Sequence, residues 1–182
     1  FRHSLFQVAS IISTSGFSTT DFNLWPTLSK IVLLIIMIFG GCAGATAGGM
    51  KMSRIVILFK SSIRRIKSMI SPRKVQNIKL NKETIDNETV EGVQNFLIVY
   101  IIVFIAVALL ISIDGMDLIT TFTASLTCIS NVGPGLGAVG PTGSFSGFSD
   151  FSKILLSIEM IAGRLEIFPI LIMFYPKTWI KR

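Results

Sequence analysis

Charge is scarce in this 182-residue chain: Asp, Glu, Lys and Arg make up 15% of it, against roughly 25% in soluble domains. Hydrophobic residues make up 51%, and mean hydropathy is +0.69. A disordered chain needs the opposite balance and is excluded. Histidine occurs once, at His3, and cysteine twice, at Cys42 and Cys128, in apolar stretches far apart. There is consequently no Ser-His-Asp set, no metal-ligand cluster and no redox pair, and the cysteines read as small core residues. Paired carboxylates in a cleft are missing as well, so an intramembrane enzyme is disfavoured. Acidic residues are wholly absent from 51–82, which holds ten of the seventeen Lys and Arg residues. The net charge of +7 therefore belongs to one segment beside an apolar span, and nucleic acid is not the expected partner.

The apolar residues gather into runs long enough for a bilayer. Residues 96–113, FLIVYIIVFIAVALLISI, are eighteen residues without a charge and cross most of a hydrocarbon core of about 30 Å. A second span covers 154–175, interrupted by Glu159, Arg164 and Glu166. A third begins near Lys30 with IVLLIIMIF, meets the glycine-rich stretch 40–51 and resumes at IVILF, 55–59. Straight, 29–59 would measure about 46 Å, so a break in the middle or an exit into the cytoplasm is expected. The basic segment 51–82 and the tail with Lys177, Lys181 and Arg182 read as cytoplasmic. Segment 114–150, with Asp114, Asp117, Asp150 and no Lys or Arg, reads as outer. Within the basic segment, Phe59, Ile63, Ile66 and Ile70 recur at helical spacing, as in an amphipathic helix near anionic lipid, with a regulatory docking surface as the alternative. Residues 71–95 read as a polar linker. Asn87-Glu-Thr matches a glycosylation sequon on the side where it cannot be used.

The chain also resembles itself. SKIVLLIIMIFGG (29–41) overlies SKILLSIEMIAGR (152–164) at an offset of 123 with eight of thirteen positions identical, and IISTSGF (11–17) overlies CISNVGP (128–134) at an offset of 117. Each copy reads as a short helix, a glycine-containing loop and an outer-to-inner helix. The second copy shows a preceding span and the first does not. The chain also opens with Phe-Arg-His, so a fragment of a longer protein is expected. One unit makes two crossings, so successive copies enter with the same orientation. That suits an arrangement around an axis along the membrane normal.

Residues 117–129, DLITTFTASLTCI, are too short and too rich in Thr and Ser to span; Asp114 or Asp117 can cap the helix start. Pro134 and the glycines around it end the helix at SNVGPGLG. This segment must dip in and return, and irregular backbone at membrane depth belongs where protein buries it or water fills a cavity. The inward end of such a helix is partly negative, and an extended loop can turn carbonyls toward a cation. Residues 4–13 and the following Ser13-Thr14-Ser15-Gly16-Phe17 read the same way. The plainer alternative is two tight extracellular turns.

FQxxSIISTSGFSTTDF (6–22), GGCAGATAGGMK (40–51), NVGPGLG (131–137) and GRLEIF (163–168) together resemble the TrkH/KtrB potassium-uptake family. The resemblance spans essentially the whole chain, as the third and fourth of four pore-loop repeats. It implies an all-α membrane protein of helix–pore-loop–helix repeats, with a broken helix in the first repeat present. The expected divisions are 1–59, 60–95 as a basic linker, and 96–182. It further implies potassium as the substrate, no cofactor, a homodimer, a cytoplasmic nucleotide-binding regulatory subunit, and the two remaining repeats of the same protein as partners within the bilayer. Carbonyls of Thr14, Ser15, Gly16 and Phe17 would line one quarter of a filter, and those of Asn131, Val132, Gly133 and Pro134 another. Neither loop is the Thr-Val-Gly-Tyr-Gly of tetrameric potassium channels, and some relatives carry sodium.

Gly40, Gly44 and Gly48 form a double GxxxG, which suits either close helix packing or, with Gly41, Gly49 and the small Ala45 and Thr46, a loop breaking the helix. The family uses this stretch as a gating loop. A phosphate-binding P-loop fails by one residue, since Met50 separates Gly49 from Lys51. Arg164 sits within the last span, where a charge is costly. At about 100° per residue, Glu159 and Glu166 share a face and Arg164 points roughly 140–160° away. Arg164 must then find a partner elsewhere, and a cationic barrier beneath the filter is its role in the family. A non-transporting membrane scaffold, its glycines serving only helix packing, is the competing reading.

Overall fold

The Ser- and Thr-containing segment at the start of the chain folds as α1 (Arg2–Ile12), and the apolar run after Pro26 folds as α2 (Thr27–Phe39). These and the following elements come from a computed structural model, which describes residues 1–42, 45, 48–71, 78–80 and 83–164. The basic segment forms α3 (Met52–Ile70). A two-stranded antiparallel sheet follows, β1 (Ile78–Leu80) and β2 (Glu83–Ile85), with Ile78 opposite Ile85. Then come α4 (Asn87–Ile111), α5 (Leu118–Ser130) and α6 (Asp150–Arg164).

With the tight turn that extends it to Asp114, α4 is 28 residues and, among the described residues, the one helix long and apolar enough to cross a membrane. Its residues Ile98, Ile101, Ile102, Ile105 and Leu109 are exposed, as a lipid-facing surface would be. At 13 residues each, α2 and α5 reach only about 20 Å, short of a hydrocarbon core of about 30 Å. The short helix α5 is the centre of the packing. It lies against α6, α4 and α2, and every residue from Thr123 to Ser130 is buried. Ile11, Phe22, Leu33, Met37, Leu126, Val132 and Leu136 form a shared core that joins the first half of the chain to the second.

The fold is mostly helical, and its one small sheet among the described residues lies in the stretch 71–95. Ile78 is buried with Ile57, Val90 and Val93, so the hairpin closes an apolar cluster between α3 and α4. Asn87 begins α4 nine residues ahead of the uncharged run, because Val90, Val93 and Phe96 continue its buried face through polar surroundings. On α3 the stripe of Phe59, Ile63, Ile66 and Ile70 is exposed, while Ser61 accepts a hydrogen bond from Gln94 of α4.

Candidate functional site

The two short helices end in the same way, atom for atom. At the end of α1 the Thr14 N–H donates to Ile11 O at 3.1 Å and the Ser15 N–H to Ser10 O at 3.0 Å. At the end of α5 the Asn131 N–H donates to Cys128 O at 3.1 Å and the Val132 N–H to Thr127 O at 3.0 Å. Both are Schellman motifs, which satisfy carbonyls that a helix end leaves open. The motif needs one left-handed residue, and here it is Thr14 at φ 54° and Asn131 at φ 55°. Such a conformation costs a non-glycine residue roughly 1–2 kcal/mol. Side-chain bonds hold both loops in place. Ser10 Oγ donates to Phe17 O at 2.6 Å, and Asn131 Nδ2 donates to Met160 O at 3.0 Å. Two residues further on, Gly16 (φ 74°) and Gly133 (φ 105°) again take positive φ, which glycine does without penalty.

The two loop tips adjoin. Gly16 faces the Val132 carbonyl and the Pro134 ring so closely that no Cβ would fit. Among the described residues, the carbonyls of Thr14, Ser15 and Gly16, and those of Asn131, Val132, Gly133 and Pro134, accept no hydrogen bond, whereas the Phe17 carbonyl is taken by Ser10. Seven backbone acceptors are thus left open on two neighbouring loops.

Behind the second loop the backbone is crowded. Gly48 abuts the Ser130 carbonyl and Asn131 Cβ; Gly163 of α6 abuts the Ile129 carbonyl and Asn131 Nδ2. Any side chain at either position would drive into main chain, so these glycines let the backbone at position 48 and α6 approach the end of α5. Gly40 (φ 63°) ends α2 and packs on Gly48 and Gly49. The Met50 N–H donates to Ile38 O at 3.2 Å and the Met52 N–H to Gly41 O at 3.1 Å, so the chain lies back against the end of α2 where α3 begins. Ala45 is exposed; Gly44 and Thr46 lie outside the described residues. Arg164 closes the described part of α6 and is exposed, while Glu159, one and a half turns earlier, is 1% exposed. Glu166 lies outside the described residues.

Several participants could not be picked out from the sequence. Ser125 Oγ of α5 donates to Glu159 Oε1 at 2.7 Å and lies 3.2 Å from the Phe104 carbonyl of α4. Tyr100 Oη and Ser130 Oγ share a hydrogen bond of 3.1 Å. Thr123 Oγ1 is held by both the N–H and the carbonyl of Leu136, at 3.0 and 3.1 Å. Ser and Thr on an otherwise apolar helix were a usable signal; their partners, 13–34 residues away, were not. At the start of α5, Asp117 caps the helix by accepting from the Thr120 N–H at 3.1 Å, and nearby Asp114 accepts from the Ser149 N–H at 2.9 Å. Hydrogen bonds from Thr120 hold the Asp117 carboxyl below its ordinary range, and those from Ser149 and Ser152 do the same for Asp114.

Comparison with known proteins agrees with this architecture. The model of the TrkH family, described as cation transport protein, matches residues 1–181. The Trk system potassium uptake protein TrkH of Vibrio parahaemolyticus is 39% identical over 179 residues, covering 98% of this chain and 36% of that protein. TrkH of Escherichia coli is 37% identical over 178 residues, and TrkG of the same organism 35% over 179. The crystal structure of the potassium transporter TrkH from Vibrio parahaemolyticus superposes with a TM-score of 0.87, covering 98% of this chain and 38% of that one. The chain thus spans little more than a third of the length of these relatives. It is a membrane protein and belongs to the TrkH family of cation transport proteins.

Proposed function

We propose that this chain supplies two of the quarters of a potassium-conducting filter, in which the peptide oxygens of Thr14–Phe17 and Asn131–Pro134 replace the hydration shell of the ion, Phe17 through the lone pair that Ser10 leaves open. The observation that carries this reading is the pair of adjoining loop tips with seven unengaged carbonyls. Backbone oxygens that accept no proton donor have their lone pairs free for a dehydrated cation. The C-terminal ends of α1 and α5, both at these loops, add a partly negative field there.

Below the filter, the 40–49 stretch is the gate and Arg164 its cationic barrier. The close approach of Gly48 and Gly163 to the end of α5 supports this, because motion of either segment is felt at Asn131 without an intervening side chain. Residues 51–95 and 176–182 lie on the cytoplasmic side, and the basic helix α3 rests on anionic lipid. The whole protein works as a homodimer with a nucleotide-binding regulatory subunit, and this chain contributes half of each pore.

The test uses the full-length protein in liposomes. Cation flux by it excludes a scaffold role, and Arg164→Ala is expected to raise that flux. Unchanged flux in Arg164→Ala removes the barrier role; no flux in the unvaried protein removes the conduction reading.

A further inference from the structure

In the segment directly after the second loop tip, one residue has both of its backbone polar groups held by a single side chain from the first half of the chain. Asn23 Nδ2 donates to the Gly137 carbonyl at 3.2 Å, and the Gly137 N–H donates back to Asn23 Oδ1 at 3.1 Å. One amide thereby satisfies both polar groups of one residue 114 positions away. The contact is bidentate, so it fixes orientation as well as distance, which a lone bond does not.

The clamp is built in from both sides. Asp21 accepts from the Asn23 N–H at 2.9 Å, which sets the short 22–24 turn that carries the side chain. Thr142 Oγ1 donates to Asp21 Oδ2 at 3.3 Å, a second tie between the same two loops. Gly137 sits at φ 68°, and Gly140 lies so close to the Asn23 amide that a Cβ there would displace it. The clamped residue is coupled to the tip through short, well-held backbone. The Gly135 N–H donates to Val139 O at 2.7 Å, Leu136 is held at both polar groups by Thr123, and the Ala138 N–H donates to Thr120 Oγ1 at 3.0 Å. Residues 135–138 thus form a rigid bracket, and the open carbonyls of Asn131–Pro134 hang from its near end.

We infer that Asn23 is a positioning residue for the neighbouring loop: by clamping Gly137 it sets the placement of the Asn131–Pro134 carbonyls, and so the ion size they accept. This rests on the conduction reading and deepens it. Asn23 touches no ion; it acts through Gly137. Discrimination between cations of different radius is the property that depends most steeply on carbonyl placement, whereas folding depends on the buried core around Leu126 and Leu136.

The test measures potassium and sodium flux through the full-length protein in liposomes, for Asn23→Ala and separately for Gly140→Ala. The latter keeps the Asn23 side chain but pushes it off Gly137; Gly140 has φ −66° and carries no conformational demand of its own. Both are expected to lower the potassium-to-sodium flux ratio at least about fivefold, the scale of one lost hydrogen bond, with folded protein yield unchanged. Combining them is expected to add little to either alone. A ratio unchanged in Gly140→Ala overturns the inference, and that holds even where Asn23→Ala lowers the amount of folded protein. Amide hydrogen exchange at 137–140 reads the clamp without any flux. Its acceleration in Asn23→Ala supports the two bonds, and unaltered exchange overturns them. Absence of flux in the unvaried protein would instead fell the conduction reading.

Discussion

The two helix–loop–helix units of this chain share one backbone and differ in their surroundings. In the first, α1 packs on α2 and buries only Gln7, Ser10 and Ile11. In the second, α5 is enclosed by α4, α6 and α2, and ten of its thirteen residues are buried. The helix-end hydrogen bonds are nevertheless the same within 0.1 Å, and the positive-φ residues fall at the same two positions. Loop geometry here follows from local chemistry: a short helix, a cap that tolerates left-handed backbone, then glycine. Enclosure determines something else, namely how each short helix is fastened to the helix after it. In the second unit the fastening is polar, Ser125 to Glu159. The repeat offsets put Val8 and Ile36 in those places in the first unit, and both pack against its apolar core. Downstream the units part again. Gly40-Gly41 ends α2, whereas the corresponding Gly163-Arg164 remains helical.

The comparison can be broken most strongly at the tips. Gly16 is constrained twice, by φ 74° and by the Val132 carbonyl, whereas Gly133 has φ 105° and open space where its Cβ would stand. Gly16→Ala is expected to cut potassium uptake by more than about tenfold, the scale of 1–3 kcal/mol of local strain. Gly133→Ala is strained by φ 105° alone and should cost less. Equal losses in an uptake assay at matched protein levels would show that backbone conformation, not the contact with Val132, sets the cost at both tips.

An exchange of fastenings gives the next largest effect. Ser125→Val alone strands the buried Glu159 carboxyl and is expected to cost about 1–3 kcal/mol, whereas Glu159→Ile leaves Ser125 the Phe104 carbonyl and should cost less. The double replacement installs the first unit's residue types and should return to within about 1 kcal/mol of the unvaried protein, since removing both partners leaves nothing unsatisfied. Thermal midpoints of the full-length protein in detergent decide it. Additive losses in the double variant would mean that the pair does more than join α5 to α6.

The smallest effect lies at the start of α5. Asp117 caps α5, and its carboxyl is held low by Thr120, so its contribution is present above the ordinary carboxylate pKa of about 3.9. It is lost as pH falls through the lower folded value. Asp117→Asn is therefore expected to lower the thermal midpoint slightly near neutrality, and the difference should close as the solution is acidified below the carboxylate range. A difference that persists unchanged in acid would assign the cap to something other than the charge.

Much of this architecture was legible because it is local. The Ser/Thr-containing segments 4–13 and 117–129 became α1 and α5 within two residues at either end, and the matched glycines sit where the internal repeat put them. The hairpin at 78–85 was hidden because its strands are three residues each, too short for alternation to register. The polar start of α4 was hidden because only its inward face is apolar. At the site, Gly16, Gly133 and Glu159 stood out by residue type. Asn23 and Ser125 did not, since what they do depends on groups 114 and 34 positions away that only the fold brings near.

The central claim concerns where a cation sits. Crystals of the full-length protein grown with thallium, a potassium mimic with strong anomalous scattering, would locate it directly. The account predicts a peak coordinated by the main-chain oxygens of residues 14–17 and 131–134. Peaks elsewhere only, or these oxygens turned from the central axis, would contradict it.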